Sequence, residues 1–274
     1  MKLDMSAAWN DAVRLLMSNR QVILIVAGVF VFLPYLALSL LMPQVMNPMA
    51  GAAPGQAQTP EAMMAMFTGP VVAGMIGIAV LQGVGMIALL SMLTDHARPT
   101  VGEALGTGLK ALLPYLATLI LQGLAIGVVL GIPLGAAMAS GSSGAIGVVA
   151  LLAFVVFLYA YVKFSLTVPV IAIEKQMNPV TVLKRSWRLT KGNSVRLFGF
   201  YVLLFIAYMV LSMIAGIMIS LPLALLGGGV AAFGTALIGA LSNTAMVILF
   251  MGVLAAVHQQ LSGTGSHSVE QVFD

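Results

Sequence analysis

Six stretches of this chain, at about residues 21–42, 70–93, 111–133, 145–171, 196–225 and 230–257, are apolar almost throughout and carry no acid at their centres. A helix needs about 20 such residues to cross the hydrocarbon of a bilayer. The backbone in lipid has no water to bond to, so each stretch has to satisfy its own N–H and C=O groups as a helix. The pattern predicts an all-α fold: a polytopic integral membrane helical bundle of six transmembrane helices. It reads as a single domain over 1–262, followed by a short cytoplasmic tail at 263–274. The first stretch is longer than a signal-peptide core, and Ala50-Gly51-Ala52 lies well past it, so a retained first helix is expected.

Composition removes the soluble alternatives. Only 7% of the 274 residues are charged, against roughly 25% in an ordinary soluble domain. That is too little charge to coat a globule in water. The absence of Cys excludes disulfides, thiolate metal sites and cysteine nucleophiles. Three His (His96, His258 and His267) and eight scattered acids show no spacing that groups them, so no metal, no cofactor and no catalytic cluster is expected.

Charge position then orients the bundle. Lys2, Arg14 and Arg20 precede the first span, Arg98 and Lys110 flank the loop between the second and third, and six more cations fall in Glu174–Arg196. The intervening loops 43–69, 134–144 and 226–229 hold no Lys or Arg, only Glu61. Eleven of the twelve cations thus share one side, which the positive-inside rule makes cytoplasmic, with both termini inside. The twelfth, Lys163, lies late in the fourth span. The span is expected to end near Tyr161, with Lys163 snorkelling to the inner interface and 164–173 running along it; Pro169 helps break the helix. In the competing reading Lys163 sits deep in the bilayer and marks function.

Ser6-Ala7-Ala8-Trp9, Thr100-Val101-Gly102-Glu103 and Asn178-Pro179 each open a short amphipathic stretch before an odd-numbered span. Three tandem units of amphipathic helix plus hairpin, at roughly 1–95, 96–175 and 176–262, are therefore expected. The third opening is the richest. On a helical wheel Val180, Leu183 and Trp187 share one face, and Lys184, Arg188 and Lys191 share another. An apolar face with an interfacial Trp and a basic rim describes a helix lying among lipid headgroups. Lys163, Lys184, Arg185, Trp187, Arg188, Lys191 and Arg196 are the candidate lipid- or anion-binding residues, although the topology rule alone would also make this loop basic.

Other features are weaker. Gly123, Gly127, Gly131 and Gly135 form a four-residue stripe in the third span, and Ser212, Gly216 and Ser220 repeat the device in the fifth. Packing against a neighbouring helix is expected of the stripe, with a homodimer face as the alternative. Gln82, Gln122 and Asn243 are intramembrane amides that either bridge helices or line a polar cavity. Met46, Met49, Met63, Met64 and Met66 gather in one outer loop; thioethers bind Cu(I), but no Cys or outer His supports a site. A short interfacial helix starting at Met63-Met64 is expected there instead. Gly83-Val84-Gly85 lacks the strand and third glycine of a dinucleotide site. Gly141-Ser142-Ser143-Gly144 reads as a turn.

The stretch Val168-Pro169-Val170-Ile171-Ala172-Ile173-Glu174, then Asn178-Pro179 and Leu183-Lys184-Arg185-Ser186-Trp187-Arg188-Leu189-Thr190-Lys191-Gly192, resembles the glycerophosphoryl diester phosphodiesterase membrane domain. The helix layout is compatible over nearly the whole chain, while the distinctive residues lie in about 168–192. The resemblance implies a six-helix bacterial inner-membrane domain, which some relatives fuse to a soluble phosphodiesterase barrel. The carboxylates and His of that barrel are lacking here, so no phosphodiesterase activity is implied.

Three functions compete. The first is a non-catalytic inner-membrane protein whose partners are the phospholipid bilayer, its anionic headgroups and a homo-oligomer or membrane-protein partner, with no nucleic acid. The second is a transporter or channel for a small or lipidic solute, using Gln82, Gln122 and Asn243; the lack of any intramembrane acid disfavours proton or sodium coupling. The third is a membrane enzyme of lipid metabolism, for which Glu174 with Lys163 is the one candidate pair.

Overall fold

The computed structural model describes residues 2–43, 68–94, 99–225 and 227–263. Among these residues every regular element is helical, and six helical segments are long and apolar enough to cross a membrane: Arg20–Leu41, Val71–Thr94, Val101–Ala139, Ser143–Ile173, Ser194–Ser220 and Gly228–Ser262. The protein is an all-α, multi-pass membrane bundle. The expected outer-loop helix near Met63, most of loop 43–69 and nearly all of the tail lie outside the described residues.

Helix α1 (Met5–Ser18) is capped by Asp4, whose carboxylate accepts from the Ala7 N–H at 3.0 Å. The start thus falls earlier than the Ser6 signal suggested. After Asn19 the first span is built from α2 (Arg20–Ala27), a π-helical turn (Gly28–Phe32) and α3 (Leu33–Leu41). The π turn has a local cause. Pro34 has no N–H to return to the preceding turn, and the Leu33 N–H reaches five residues back, to the Gly28 carbonyl. The widened turn presses Phe30 against the second span, α4 (Gly69–Thr94). A Cβ on Gly85 of α4 would fall 2.4 Å from the Phe30 Cβ, so only glycine fits.

Helix α5 (Val101–Ala139) opens with a complete capping box: the Thr100 N–H donates to Glu103 Oε2 at 2.8 Å, and the Glu103 N–H donates to Thr100 Oγ1. Its 39 residues run unbroken through Pro114 and Pro133. The expected amphipathic segment and third span are therefore one helix, about 58 Å long at 1.5 Å per residue, nearly twice the ~30 Å of hydrocarbon. Helices α1 and α8 (Pro179–Leu189) do stand apart from the spans that follow them, so two of the three proposed units keep a separate amphipathic helix. After a turn at Gly141 (φ +65°) come α6 (Ser143–Phe164) and the short α7 (Thr167–Ile173). The break at Ser165–Leu166 follows from Pro169, whose missing N–H leaves the Ser165 carbonyl without its helical partner. Helices α9 (Ser194–Ala224) and α10 (Gly228–Ser262) complete the chain.

The core is not spread evenly along the bundle. Leu3, Ala8 and Ala12 from the N-terminal region, Ile87 and Leu90 late in α4, Ala111 and Tyr115 early in α5, Val162 late in α6, Val170–Ala172 of α7, Val182 and Leu189 of α8, Leu197 and Phe200 early in α9, and Met251–Val257 late in α10 form one cluster. All these positions lie where the chain enters or leaves the spans at the basic loops, hereafter the charged end. Helix α1 lies across α10 there through alanines, and a Cβ on Gly252 would meet Leu16 at 2.7 Å. At the opposite end α5, α6 and α9 expose almost every side chain. Lipid tails are as apolar as leucine, so those surfaces gain little from burying one another.

Candidate functional site

The charged end gathers the chemistry-bearing side chains around α8. Asn178 caps that helix, its Oδ1 accepting from the Val180 and Thr181 N–H groups at 3.0 and 3.2 Å, with Pro179 at the first helical position, where a missing N–H costs nothing. The helix has three faces. Val180 and Trp187 are exposed and apolar, and Lys184 and Arg188, with Lys191 just beyond the helix end, are exposed and basic, as the wheel predicts, while Leu183, the third member of the apolar face, is half-buried. The third face, Val182, Ser186 and Leu189, is buried and fastens α8 to the core. The wheel did not single it out, because a lone Ser among apolar residues carries no sequence signal of burial. Ser186 is wholly buried and its Oγ donates at 2.8 Å to the Lys163 carbonyl, satisfying one of the orphan acceptors at the end of α6.

Lys163 departs from the snorkelling expectation. The helix ends at Phe164, close to where the sequence put it, but the Lys163 residue is only 3% exposed. Its ammonium lies 5.2 Å from the centroid of the Trp187 ring and 5.4 Å from that of Tyr159. These two rings pack edge to face with centroids 5.8 Å apart, and Phe164 meets Trp187 from another side. The cation therefore sits under aromatic faces, at the negative end of the α6 dipole, rather than hanging free at the interface. Segment 164–173 likewise does not run along the surface: Leu166, Val170, Ile171 and Ala172 are core residues.

Glu174 is likewise paired differently from the candidate enzyme pair with Lys163. It ends α7, and the chain turns sharply after it because Lys175 adopts a left-handed conformation (φ +53°). Both Glu174 oxygens accept from Arg185 Nε at 2.9 Å, and Oε1 also lies 3.0 Å from His258 Nε2. His258 is 1% exposed, and its Nδ1 has no hydrogen-bond partner among the described residues. One carboxylate thus ties α7 to α8 and to α10. Because Nδ1 finds no acceptor, the arrangement suits a neutral ring that donates from Nε2. His258 was not among the candidate residues: a His near the end of an apolar span, 84 positions from its partner, offers no local pattern to find it by.

The other candidates separate. Arg196 is exposed and its Nη1 donates to the Leu3 carbonyl at 3.5 Å, while the Leu3 N–H donates to Asn193 Oδ1 at 2.9 Å, so Arg196 helps hold the N-terminal segment on the bundle. Gln82, Gln122 and Asn243 are half-buried, and no hydrogen bond among the described residues joins any of them to another; Gln122 Oε1 is sealed without a partner among those same residues. The glycine stripe does not pack within the molecule. A Cβ on Gly123, Gly127, Gly131 or Gly135 would meet nothing within 4 Å, and all four are exposed. Close packing falls instead to Gly83 against Tyr115, Gly85 against Phe30 and Gly108 against the Val84 carbonyl. The set-aside Gly83-Val84-Gly85 is thus a helix-packing element. No group of three or more His, Asp or Glu among the described residues could hold a metal ion.

A family match extends over residues 3–264, from the N-terminal segment through the end of α10, and so covers the whole charged end. The chain belongs to the DUF7847 family. The family is described as a domain of unknown function. No curated protein and no solved structure matches the chain.

Proposed function

We propose that this protein is a non-catalytic, multi-pass protein of the bacterial inner membrane that engages anionic phospholipid headgroups through α8, with the charged end and both termini cytoplasmic. One observation carries the reading. Lys184, Arg188 and Lys191 are exposed together beside the exposed apolar edge of Val180 and Trp187, while the carboxylate of Glu174, at the end of α7, is already taken by Arg185 and His258. A positive face that forms no ion pair among the described residues, next to an apolar edge, suits the boundary between headgroups and acyl chains. Each such cation contributes about 1 kcal/mol of attraction to an anionic leaflet.

The test is lipid retention. Protein extracted in mild detergent and weighed by native mass spectrometry is expected to carry anionic phospholipid, and the double variant Lys184→Glu/Arg188→Glu to lose most of it. Arg185 has to be left intact, because reversing it would break the bond to Glu174 and disturb the fold as well as the surface. Equal retention by the variant and the wild type would refute the proposal.

A further inference from the structure

Helix α1 carries an apolar ridge that nothing among the described residues covers. Its buried side, Ala8 and Ala12, lies against α10, where a Cβ on Gly252 would meet Leu16. About a quarter-turn away, Met5, Trp9 and Met17 are 42%, 38% and 68% exposed, with Val13 half-buried between the last two. Asn10 and Arg14, both exposed, take the remaining polar side. One quadrant on protein, the next apolar and open, and a polar back suit a helix lying at a membrane surface.

Two anchors place the ridge. At the head of α1 the Leu3 N–H donates to Asn193 Oδ1 at 2.9 Å, and the Asp4 N–H to Gln260 Oε1 at 3.1 Å, beside the start of α9 and the end of α10. At its other end Leu16 reaches Gly252, and a single residue, Asn19, joins α1 to the first span. Gln260 to Gly252 is about 12 Å along α10, against about 18 Å of α1 from Asp4 to Leu16. The helix therefore slants across the charged end toward the point where the first span enters the bilayer. The open apolar surface continues there: just past Asn19, Leu24 and Ile25 are exposed in a segment that is long and apolar enough to cross a membrane. Charge does not hold α1 to a surface, because its one acid and one base, Asp11 and Arg14, pair with each other at 2.7 Å. What the ridge offers is a tryptophan between methionines, and tryptophan favours the boundary between headgroups and acyl chains.

We propose that the ridge of Met5, Trp9 and Met17 lies in that boundary, in the leaflet at the charged end, and makes α1 an in-plane anchor held by apolar contact. Unlike the α8 surface, it needs no anionic lipid, and it does not depend on the reading of α8.

The chain contains no Cys, so single cysteines can carry a nitroxide spin label at chosen points. Met5→Cys and Met17→Cys report on the ridge and Asn10→Cys on the polar side; all three positions are exposed, so labelling leaves the core intact. In phosphatidylcholine nanodiscs the ridge labels are expected to be relaxed by oxygen, which concentrates among acyl chains, and shielded from a water-soluble nickel chelate. Their depth should fall about 5–10 Å into the headgroup and acyl boundary. The Asn10→Cys label should show the reverse preference. Salt at about 1 M, where the screening length is only about 3 Å, should leave the pattern unchanged. Nickel access at the ridge equal to that at Asn10→Cys would overturn the proposal, because the ridge would then face water. Ridge labels immobilised and shielded from both reagents would also overturn it, because a second copy or another part of the chain would then be the cover. Phosphatidylcholine has no net charge, so failure here leaves the α8 reading standing, and loss of anionic-lipid retention leaves this one standing.

Discussion

Removing the Glu174 carboxylate should cost more than an exposed ion pair would suggest, because of what it leaves behind on α10. Its side chain is 26% exposed and that of Arg185 29%, so the pair alone is worth about 0–1 kcal/mol. His258 is different. Its side chain is 1% exposed, Nε2 has Glu174 Oε1 as its partner, and Nδ1 has none among the described residues. Glu174→Ala strips the buried ring of its hydrogen bond, a loss of about 1–3 kcal/mol. The sum is about 1–4 kcal/mol, which for a chain of this size lowers the apparent Tm by about 2–16 °C. Glu174→Gln keeps an oxygen for the Nε2–H and should recover roughly half of that loss. His258→Leu fills the space with an apolar side chain and leaves the Glu174–Arg185 contact intact, so it should stay within about 1 kcal/mol of wild type. The assay is thermal unfolding of delipidated protein in one detergent at one heating rate, which keeps bound lipid and kinetics out of the comparison. If Glu174→Ala melts with the wild type, or His258→Leu falls as far as Glu174→Ala, the account of this cluster is wrong.

The same assay checks two further expectations. Gly85→Ala and Gly108→Ala place a Cβ 2.4 Å from Phe30 Cβ and 2.6 Å from the Val84 carbonyl oxygen, so each should cost about 1–3 kcal/mol through forced separation of helices. Gly127→Ala meets open space and should change stability by less than about 0.5 kcal/mol. Ser186→Ala leaves the Lys163 carbonyl without its buried donor and should cost about 1 kcal/mol; a neutral result would show that this carbonyl is satisfied in another way.

Much of the architecture can be read in local pattern. The six spans, the Thr100–Glu103 capping box, the Asn178-Pro179 start and the Gly141 turn each depend on residues within a few positions of one another, so one strand of text holds the whole signal. The exposed apolar and basic faces of α8 were legible for the same reason. Where the expectation and the fold diverge, the deciding contact is distant in sequence. Lys163 is roofed by Trp187 and bonded through its carbonyl to Ser186, 23 positions on. Glu174 finds His258 across 84 positions rather than the nearer Lys163.

The glycines show why apolar pattern stops short in a membrane. Gly123, Gly127, Gly131 and Gly135 hold the regular spacing, yet they face outward; Gly83, Gly85 and Gly108 hold none that stands out, yet they carry the close approaches. In water an apolar stripe has to find protein, so pattern predicts burial. In lipid an apolar side chain is equally at ease on either side of the helix. The amino-acid sequence by itself therefore determined that this protein crosses a membrane six times and which of its ends carries the charge. Which faces meet, and which side chains the charged end brings together, was decided only by the tertiary packing of helices against one another.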